Sequence, residues 1–203
     1  MSIRVKVIQK AKNILRIELV KLLASLSAEQ KKIQSAIIHE KLFALPEFQN
    51  SQRISCYCST MNEVDTKSIV ERIFHLNKQL YVPRYSYRFK KMFMERVKDL
   101  PDYEAILERK RAVRPMPKYS DNREDAMDVG GLNLIIVNGL AFTMTGKRLG
   151  TGGGYYDTYI RNHRKAGFKK FTTIGLAFKE QVFPYLPIHC YDVNLDFVLC
   201  PYK

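Results

Sequence analysis

Apolar residues recur along the first part of the chain at the spacing of amphipathic helices. Between residues 8 and 26 they return every three or four positions, at Ile8, Ala11, Leu15, Leu19 and Leu22. A second helix is predicted to start after Ser27, because Ser27-Ala28-Glu29-Gln30 has the form of a capping box. Pro46 marks the end of this helix, since proline breaks a helix interior. On it we expect three inward-facing residues, Ile33, Ile37 and Phe43.

Short apolar runs alternate with helical patterns in the rest of the chain. The runs predict strands over residues 53–58, 79–85, 92–97, 132–137, 171–177 and 195–199. Further helices are predicted after Asp65 or Thr66, over 103–109 and over 155–165, the last closed by Gly167. Such alternation indicates an α/β fold with a largely parallel, mixed sheet and helices on both faces. We expect one domain over residues 1–203, with a long polar excursion at about 100–130.

A glycine-rich segment, residues 146–157, follows the predicted strand at 132–137. Four of the ten glycines of the chain lie within residues 150–154. Glycine permits positive φ, and a loop of this kind can direct several N–H groups at one anion. A helix is predicted to begin at Tyr155, so a bound phosphate would lie at a helix N-terminus. The alternative is a flexible surface turn, but flexible linkers are usually rich in serine as well.

The segment differs from the two common phosphate-binding motifs. A Walker loop ends in Gly-Lys followed by Ser or Thr, whereas Gly154 is followed by Tyr155. The dinucleotide fingerprint would need a glycine at position 155. The glycine loop therefore predicts an anion site of a third kind.

Composition and charge narrow the class of protein. No apolar run approaches the length of a membrane span, and the N-terminus lacks the apolar centre of a secretory signal. We expect a cytoplasmic protein with no membrane partner, although the basic N-terminus leaves mitochondrial targeting open. The four cysteines show neither disulfide nor zinc spacing. The net charge of +14 has three possible explanations: a nucleic-acid partner, a polyanionic small substrate, or solubility alone. No nucleic-acid motif accompanies the charge.

The glycine loop and its surroundings resemble the 5-formyltetrahydrofolate cyclo-ligase family. That family carries a loop of the form G-x-R-L-G-x-G-G/K-G-Y-Y-D, and residues 146–157 match it. The resemblance extends from about Lys12 to Val198, through further segments at 12–16, 53–63, 82–85, 177–181 and 189–192. It implies a cyclo-ligase fold of the NagB/RpiA/CoA-transferase-like kind. The implied activity is ATP-dependent closure of 5-formyltetrahydrofolate to 5,10-methenyltetrahydrofolate, with Mg²⁺ as metal ion.

The resemblance also implies roles for individual residues. Arg148 and Tyr155 would be catalytic. ATP would be bound by Lys12, Arg16, Arg148, Leu149, Gly150, Thr151, Gly152, Gly153, Gly154, Tyr155 and Tyr156. The folate, with or without a polyglutamate tail, would contact Cys58, Glu63, Thr151, Gly152, Gly153, Gly154 and Tyr155. Without the resemblance, Lys12 and Arg16 would be an ordinary exposed helix face and Glu63 a surface acid.

Asp157 and Asp192 are the metal ligands that the resemblance implies. Asp196 is a competitor for the role of Asp192. The alternative for Asp157 is a favourable interaction with the dipole of the helix that it begins. We expect His39, His75 and His163 to be surface or core residues, and a monomeric protein.

Three positions depart from the family pattern. Thr151 stands where many relatives have Arg or an aromatic residue, and Asn138 and Thr143 replace a common Pro and Asp. A missing phosphate contact at Thr151 and a looser loop entrance at Asn138 and Thr143 would give a second possibility, a catalytically weakened paralogue that binds folate or a nucleotide. A nucleic-acid-binding protein is a third, motivated by charge alone.

Overall fold

The fold is a six-stranded sheet with helices packed on its two faces. The computed structural model describes residues 3–86, 89, 91–111, 123–168 and 170–202. The helices are α1 Ile3–Ser25, α2 Ala28–Ala44, α3 Pro46–Gln49, α4 Lys67–His75, α5 Leu100–Arg111 and α6 Tyr155–Lys165. The strands are β1 Arg53–Ser55, β2 Gln79–Ser86, β3 Lys91–Val97, β4 Leu134–Val137, β5 Ala141–Phe142, β6 Arg148–Leu149, β7 Thr172–Leu176 and β8 Phe197–Leu199.

The strand order in the large sheet is β3-β2-β1-β4-β7-β8. All neighbouring strands pair in parallel except β2 and β3, which form an antiparallel pair at one edge. The sheet is therefore mixed but largely parallel, which confirms the predicted fold class. In such sheets ligands bind beyond the carboxyl ends of the strands.

Alternate residues of β4 divide the core between the two faces of the sheet. Leu134 and Ile136 join one buried cluster, with residues of α2, α4 and α5. Ile135 and Val137 join the other, with residues of α6 and β3. Because successive strand side chains point to opposite faces, this division places helices on both faces of the sheet.

The capping box of α2 forms as predicted. The Ser27 hydroxyl accepts a hydrogen bond from the Gln30 amide at 3.1 Å, and the Gln30 side chain accepts one from the Ser27 amide at 3.0 Å. The helix ends at Ala44, one residue before the cap that precedes Pro46.

The predicted inward faces were only partly right: Leu19 on α1 is buried and Phe43 on α2 packs against the core, but other positions differ. On α1, Ala11 and Leu22 are exposed, whereas Lys12 and Leu23 are buried. On α2, Ile33 is 53% exposed and Ile38 and Leu42 are buried instead. The apolar pattern was ambiguous in both helices, because apolar residues occupy more than one face and Lys12 is buried by an ion pair.

Two strand predictions also need correction. The strand predicted over 53–58 ends at Ser55; the Cys56 amide still donates to the Tyr81 carbonyl at 2.9 Å, and the chain leaves the sheet after it. The glycine loop does not directly follow β4, because the β5–β6 hairpin lies between them.

The predicted polar excursion is partly helical. The helix predicted at 103–109 is the longer α5, and a 3₁₀ turn forms at Ala126–Val129. Residues 112–122 of the excursion lie outside the described residues. None of the helices that the structure describes has the length and apolar character needed to cross a bilayer.

Candidate functional site

A cavity of about 480 Å³ opens at the carboxyl edge of the sheet. It brings together residues of α1, the loop after β1, the ends of β2 and β4, the glycine loop and the segment before β8. The predicted site residues that line it are Lys12, Arg16, Glu63, Arg148, Leu149, Gly150, Thr151, Gly152, Gly153, Gly154, Tyr155, Tyr156, Asp157 and Asp192. Cys58 is not among the lining residues and packs against the core.

The glycine loop presents open main-chain donors to the cavity. Gly152 and Gly154 have φ of +114° and +65°, so the backbone turns in a way that favours glycine. Gly154 is the N-cap of α6 and provides no side-chain cap. Within the part of the chain that the structure describes, the N–H groups of residues 151–154 donate to no protein acceptor. Several unpaired amides at a helix N-terminus form an anion site.

The β5–β6 hairpin holds the base of the glycine loop. At its turn the Thr143 hydroxyl accepts a hydrogen bond from the Lys147 amide at 3.1 Å and lies 2.8 Å from the Thr145 hydroxyl. The Gly146 amide also donates to the Thr143 carbonyl. Thr143 is therefore an anchor of the turn, and the structure shows no loosening at this position.

Arg148 lies beneath the loop with a side chain that is only 6% exposed. Its guanidinium donates to Asp157 Oδ2 at 3.0 Å and to the Asn138 carbonyl at 3.2 Å, and it lies over the Tyr156 ring at 5.4 Å. Gly150 leaves room for it, since a Cβ there would lie 2.6 Å from Arg148 Nη1. This fixed cation lies at the floor of the cavity.

Two cations of α1 approach the loop from the other side. Arg16 donates through Nε to the Gly150 carbonyl at 2.9 Å, and Lys12 forms an ion pair with Asp192. Burial lowers the pKa of Arg16, while the charge of Asp192 acts in the opposite direction. Both side chains point to one side of α1, as expected for residues four positions apart on a helix.

The two predicted metal ligands are differently placed. Each oxygen of Asp157 already accepts one hydrogen bond, Oδ2 from Arg148 at 3.0 Å and Oδ1 from the Val193 amide at 2.9 Å. Asp192 Oδ2 accepts from Lys12 and from the His189 amide, whereas Oδ1 has no partner among the described residues. No group of three or more His, Cys, Asp or Glu side chains in the described ranges could hold a metal. A cation here would therefore need ligands from a bound phosphate as well as from Asp192.

Asp196, the alternative to Asp192 as a metal ligand, forms hydrogen bonds with β7 instead. Its carboxylate accepts from the Thr173 amide at 2.8 Å and from the Thr173 hydroxyl at 2.7 Å, and it does not line the cavity.

Of the predicted histidines, His163 is a fully buried core residue that accepts from the Leu132 amide at 2.8 Å.

Glu63 lies where the β1 loop reaches the cavity. Its Oε2 accepts from the Thr60 amide at 2.8 Å, and its Oε1 accepts from Asn138 Nδ2 at 2.5 Å. Nearby, the rings of Tyr85 and Tyr155 meet edge to face with centroids 5.0 Å apart. Burial raises the pKa of Tyr85 to about 12, so this phenol stays protonated at neutral pH. A fixed carboxylate beside aromatic rings suits a flat ligand with paired N–H donors.

Sequence reasoning missed part of the lining. The missed residues are Gln9, Tyr85, Asn138, Gly139, Leu140 and His189. Gln9 precedes Lys12 by about one helical turn, and Asn138 follows directly after a strand that is buried throughout. The helical spacing could have identified Gln9; Asn138 stands at the loop entrance and His189 lies in a segment of the resemblance, but neither was assigned a role.

Comparison with known proteins identifies the family. The model of the 5-formyltetrahydrofolate cyclo-ligase family matches residues 8–201. The chain is 39% identical to 5-formyltetrahydrofolate cyclo-ligase of Mus musculus, over 95% of this chain and 94% of that protein. It is 33% identical to a probable 5-formyltetrahydrofolate cyclo-ligase of Caenorhabditis elegans, over 95% and 93%.

Solved structures share the fold. A 5,10-methenyltetrahydrofolate synthetase from Mycoplasma pneumoniae matches with a TM-score of 0.71 and 20% identity, over 94% of this chain and 99% of that one. The NMR structure of the Aquifex aeolicus 5,10-methenyltetrahydrofolate synthetase matches with a TM-score of 0.70 and 26% identity, over 95% and 90%. With a family match that spans almost its whole length, the chain belongs to the 5-formyltetrahydrofolate cyclo-ligase family, as the glycine loop predicted.

Proposed function

We propose that this chain uses ATP to convert 5-formyltetrahydrofolate into 5,10-methenyltetrahydrofolate, with release of ADP and phosphate. The observation that carries the proposal is one cavity with two complementary ends. One end has the unpaired amides of residues 151–154 with Lys12 and Arg16, and the other has Glu63 with Tyr85. In a member of this family, these two ends suit a triphosphate and a reduced pterin.

The reaction has a physical difficulty at the formyl group. A formamide carbonyl is a poor electrophile and its oxygen is a poor leaving group. Transfer of the γ-phosphoryl group of ATP to the formyl oxygen breaks the bond to the β-phosphate and releases ADP. N10 of the same folate then attacks the formyl carbon and loses its proton, and the C–O bond to the departing phosphate breaks. The five-membered ring that results is the methenyl product.

The protein contributes alignment and charge neutralisation to this sequence. The amides of the glycine loop hold the triphosphate, and Lys12 and Arg16 on α1 face the same space. Arg148 is held by Asp157 and by the Asn138 carbonyl, so its charge is in place before ATP binds. Glu63 accepts the paired N–H donors of the pterin, and Tyr155 lies between the two ligands.

The residues present fit a magnesium ion shared with ATP. Asp192 offers the oxygen that has no protein partner among the described residues, and Asp157 supports the site through Arg148 and the Val193 amide. When bound, Mg²⁺ would neutralise charge on the phosphate oxygens.

The alternative function, a weakened folate- or nucleotide-binding paralogue, rested on three departures from the family pattern. Two of them make structural hydrogen bonds: Thr143 at the hairpin turn and Asn138 to Glu63. The third, Thr151, lines the cavity. These contacts favour the enzyme, and an active wild-type protein would exclude the alternative.

The proposal is tested by following methenyltetrahydrofolate formation with Mg-ATP and the 6S substrate. No product would overturn it, and tight binding of 5-formyltetrahydrofolate without ATP hydrolysis would support the paralogue instead. RNA binding that persists at moderate salt would support the charge-based third possibility. A monomer, one domain over residues 1–203, a cytoplasmic location and acceptance of polyglutamate tails remain predictions.

The two ends of the cavity predict different mutant phenotypes. Arg148→Ala should lower kcat/KM for ATP by roughly 30-fold or more, because it removes charge-assisted hydrogen bonds. Glu63→Ala should mainly raise the folate KM, by about tenfold or more. Steady-state kinetics with each substrate varied in turn checks the division.

The control is Arg164→Ala, which removes an arginine of α6 outside the cavity. It should leave both KM values close to wild type. Equal effects of Arg148→Ala and Glu63→Ala on the two substrates would contradict the assignment of roles.

A further inference from the structure

Asn138 is the first residue after β4 and points its amide at the Glu63 carboxylate. Nδ2 lies 2.5 Å from Glu63 Oε1. A carboxylate only accepts hydrogen bonds, so the group that faces it must be the NH₂ of the amide and not its oxygen. The orientation of the Asn138 side chain therefore follows from the chemistry of its partner.

The contact leaves Glu63 able to bind a ligand. The Asn138 amide occupies one lone pair of Oε1, and the Thr60 amide occupies one of Oε2 at 2.8 Å. A carboxylate has about four acceptor sites, so each oxygen keeps one for another donor. Two protein donors, one on each oxygen, fix the plane of the carboxylate. A fixed plane aligns both oxygens for a ligand that offers two parallel N–H groups.

Asn138 uses its main chain for a separate contact. Its carbonyl accepts from Arg148 Nη1 at 3.2 Å, and Arg148 in turn binds Asp157. A substitution of the side chain removes the bond to Glu63 but keeps the carbonyl. The two contacts of Asn138 can therefore be separated by mutation.

We propose that the Asn138 side chain is a positioning residue that holds the Glu63 carboxylate for the aminopyrimidine edge of the folate. This inference rests on the proposed function for the identity of the ligand. Because the Glu63 carboxylate is already fixed in the free protein, less conformational entropy is lost when the folate binds. Asn138 consequently acts on folate affinity and not on ATP affinity.

The test compares Asn138→Ala with wild type by calorimetry, using 5-formyltetrahydrofolate and Mg-ATP separately. The Kd for 5-formyltetrahydrofolate should rise about tenfold, and the Kd for ATP should stay within about twofold. Asn138→Asp, which is nearly isosteric, should weaken folate binding further because it places a second carboxylate against Glu63.

Asn133→Ala is the matched control. Asn133 lies just before the opposite end of β4, where its side chain accepts from the Gln52 and Arg53 amides at 3.1 and 2.8 Å. This variant also loses side-chain hydrogen bonds of a half-buried asparagine, so it reports the general effect of such a loss. Its folate Kd should equal that of wild type.

A crystal structure of ligand-free Asn138→Ala gives a readout that does not depend on activity. The Glu63 side chain should rotate away or occupy several conformers. An unchanged Glu63, an unchanged folate Kd, or an equal loss of folate and ATP affinity would each overturn the inference while wild-type turnover still supports the proposed function. A wild-type protein that neither binds nor converts 5-formyltetrahydrofolate would overturn both.

Discussion

At Gly146 the absence of a side chain allows the close backbone packing that supports the site. It lies in the hairpin turn with φ of +85°, and a Cβ there would lie 2.1 Å from the Leu195 carbonyl oxygen. The same contact region includes a hydrogen bond from the Leu195 amide to the Gly146 carbonyl at 2.8 Å. The turn and the segment before β8 are therefore joined by backbone contacts that no side chain would allow.

Gly146→Ala should destabilise the protein by about 3 kcal/mol or more, because it combines a backbone clash with unfavourable φ. Urea unfolding measures the change in the free energy of unfolding. Gly167→Ala is the matched control, since Gly167 has φ of +90° but no atom of the described residues lies within 4 Å of a Cβ there. The control should lose only about 1 kcal/mol. Equal losses in the two variants would show that φ alone, and not the contact with Leu195, matters at Gly146.

At the scale of elements, α2 depends on Ser27, the N-cap that precedes its first residue. Ser27→Ala removes the hydroxyl that accepts from the Gln30 amide and should cost about 1 kcal/mol of stability. Ser25→Ala, on the last residue of α1, removes only an exposed hydroxyl that donates to the Leu22 carbonyl. Chemical denaturation of both variants checks the prediction, and a loss in Ser25→Ala as large as that in Ser27→Ala would contradict it.

The sequence predicts elements well where local chemistry alone determines them. The Ser27 capping box, the start of α6 at Tyr155 and the buried run of β4 depend on neighbouring residues, and all three formed as expected. The buried faces of α1 and α2 depend on distant partners. Lys12 is buried because Asp192, 180 residues away, pairs with it, and no local pattern carries that information.

In the candidate site, too, features set by neighbouring residues were predicted and features set by distant residues were not. The glycine loop was recognisable because its motif is continuous in sequence, whereas Tyr85, Asn138 and His189 reach the cavity from three separate parts of the chain. The β5–β6 hairpin was missed because each strand has only two residues, too few for a period. What sequence reasoning lacked was the packing of segments that are distant along the chain.

For the whole molecule, His163 links stability to pH. Burial lowers the pKa of His163 to about 4 from its ordinary 6.5, with Arg164 and Arg53 acting in the same direction. Because the folded state binds this proton less readily than the unfolded state, the contribution of His163 to stability is complete above pH 6.5. This contribution declines as the pH falls from 6.5 toward 4. The slope should be at most about 1.4 kcal/mol per pH unit.

Unfolding by urea between pH 4 and 7 measures this dependence. His163→Asn retains an acceptor for the Leu132 amide but has no titratable group, so its stability should vary less with pH in that window. His75→Gln removes an exposed histidine and should keep the wild-type pH dependence. Identical curves for His163→Asn and wild type would show that other groups cause the dependence.

The pairing of Lys12 with Asp192 also has a consequence for biosynthesis. Translation produces α1 early and Asp192 180 positions later, so the cavity stays incomplete on a nascent chain. Until the segment before β8 has left the ribosome, Lys12 has no carboxylate partner and Gly146 lacks its contact with Leu195. Nucleotide capture by this cavity therefore follows synthesis of nearly the whole chain and cannot begin on the emerging N-terminal part.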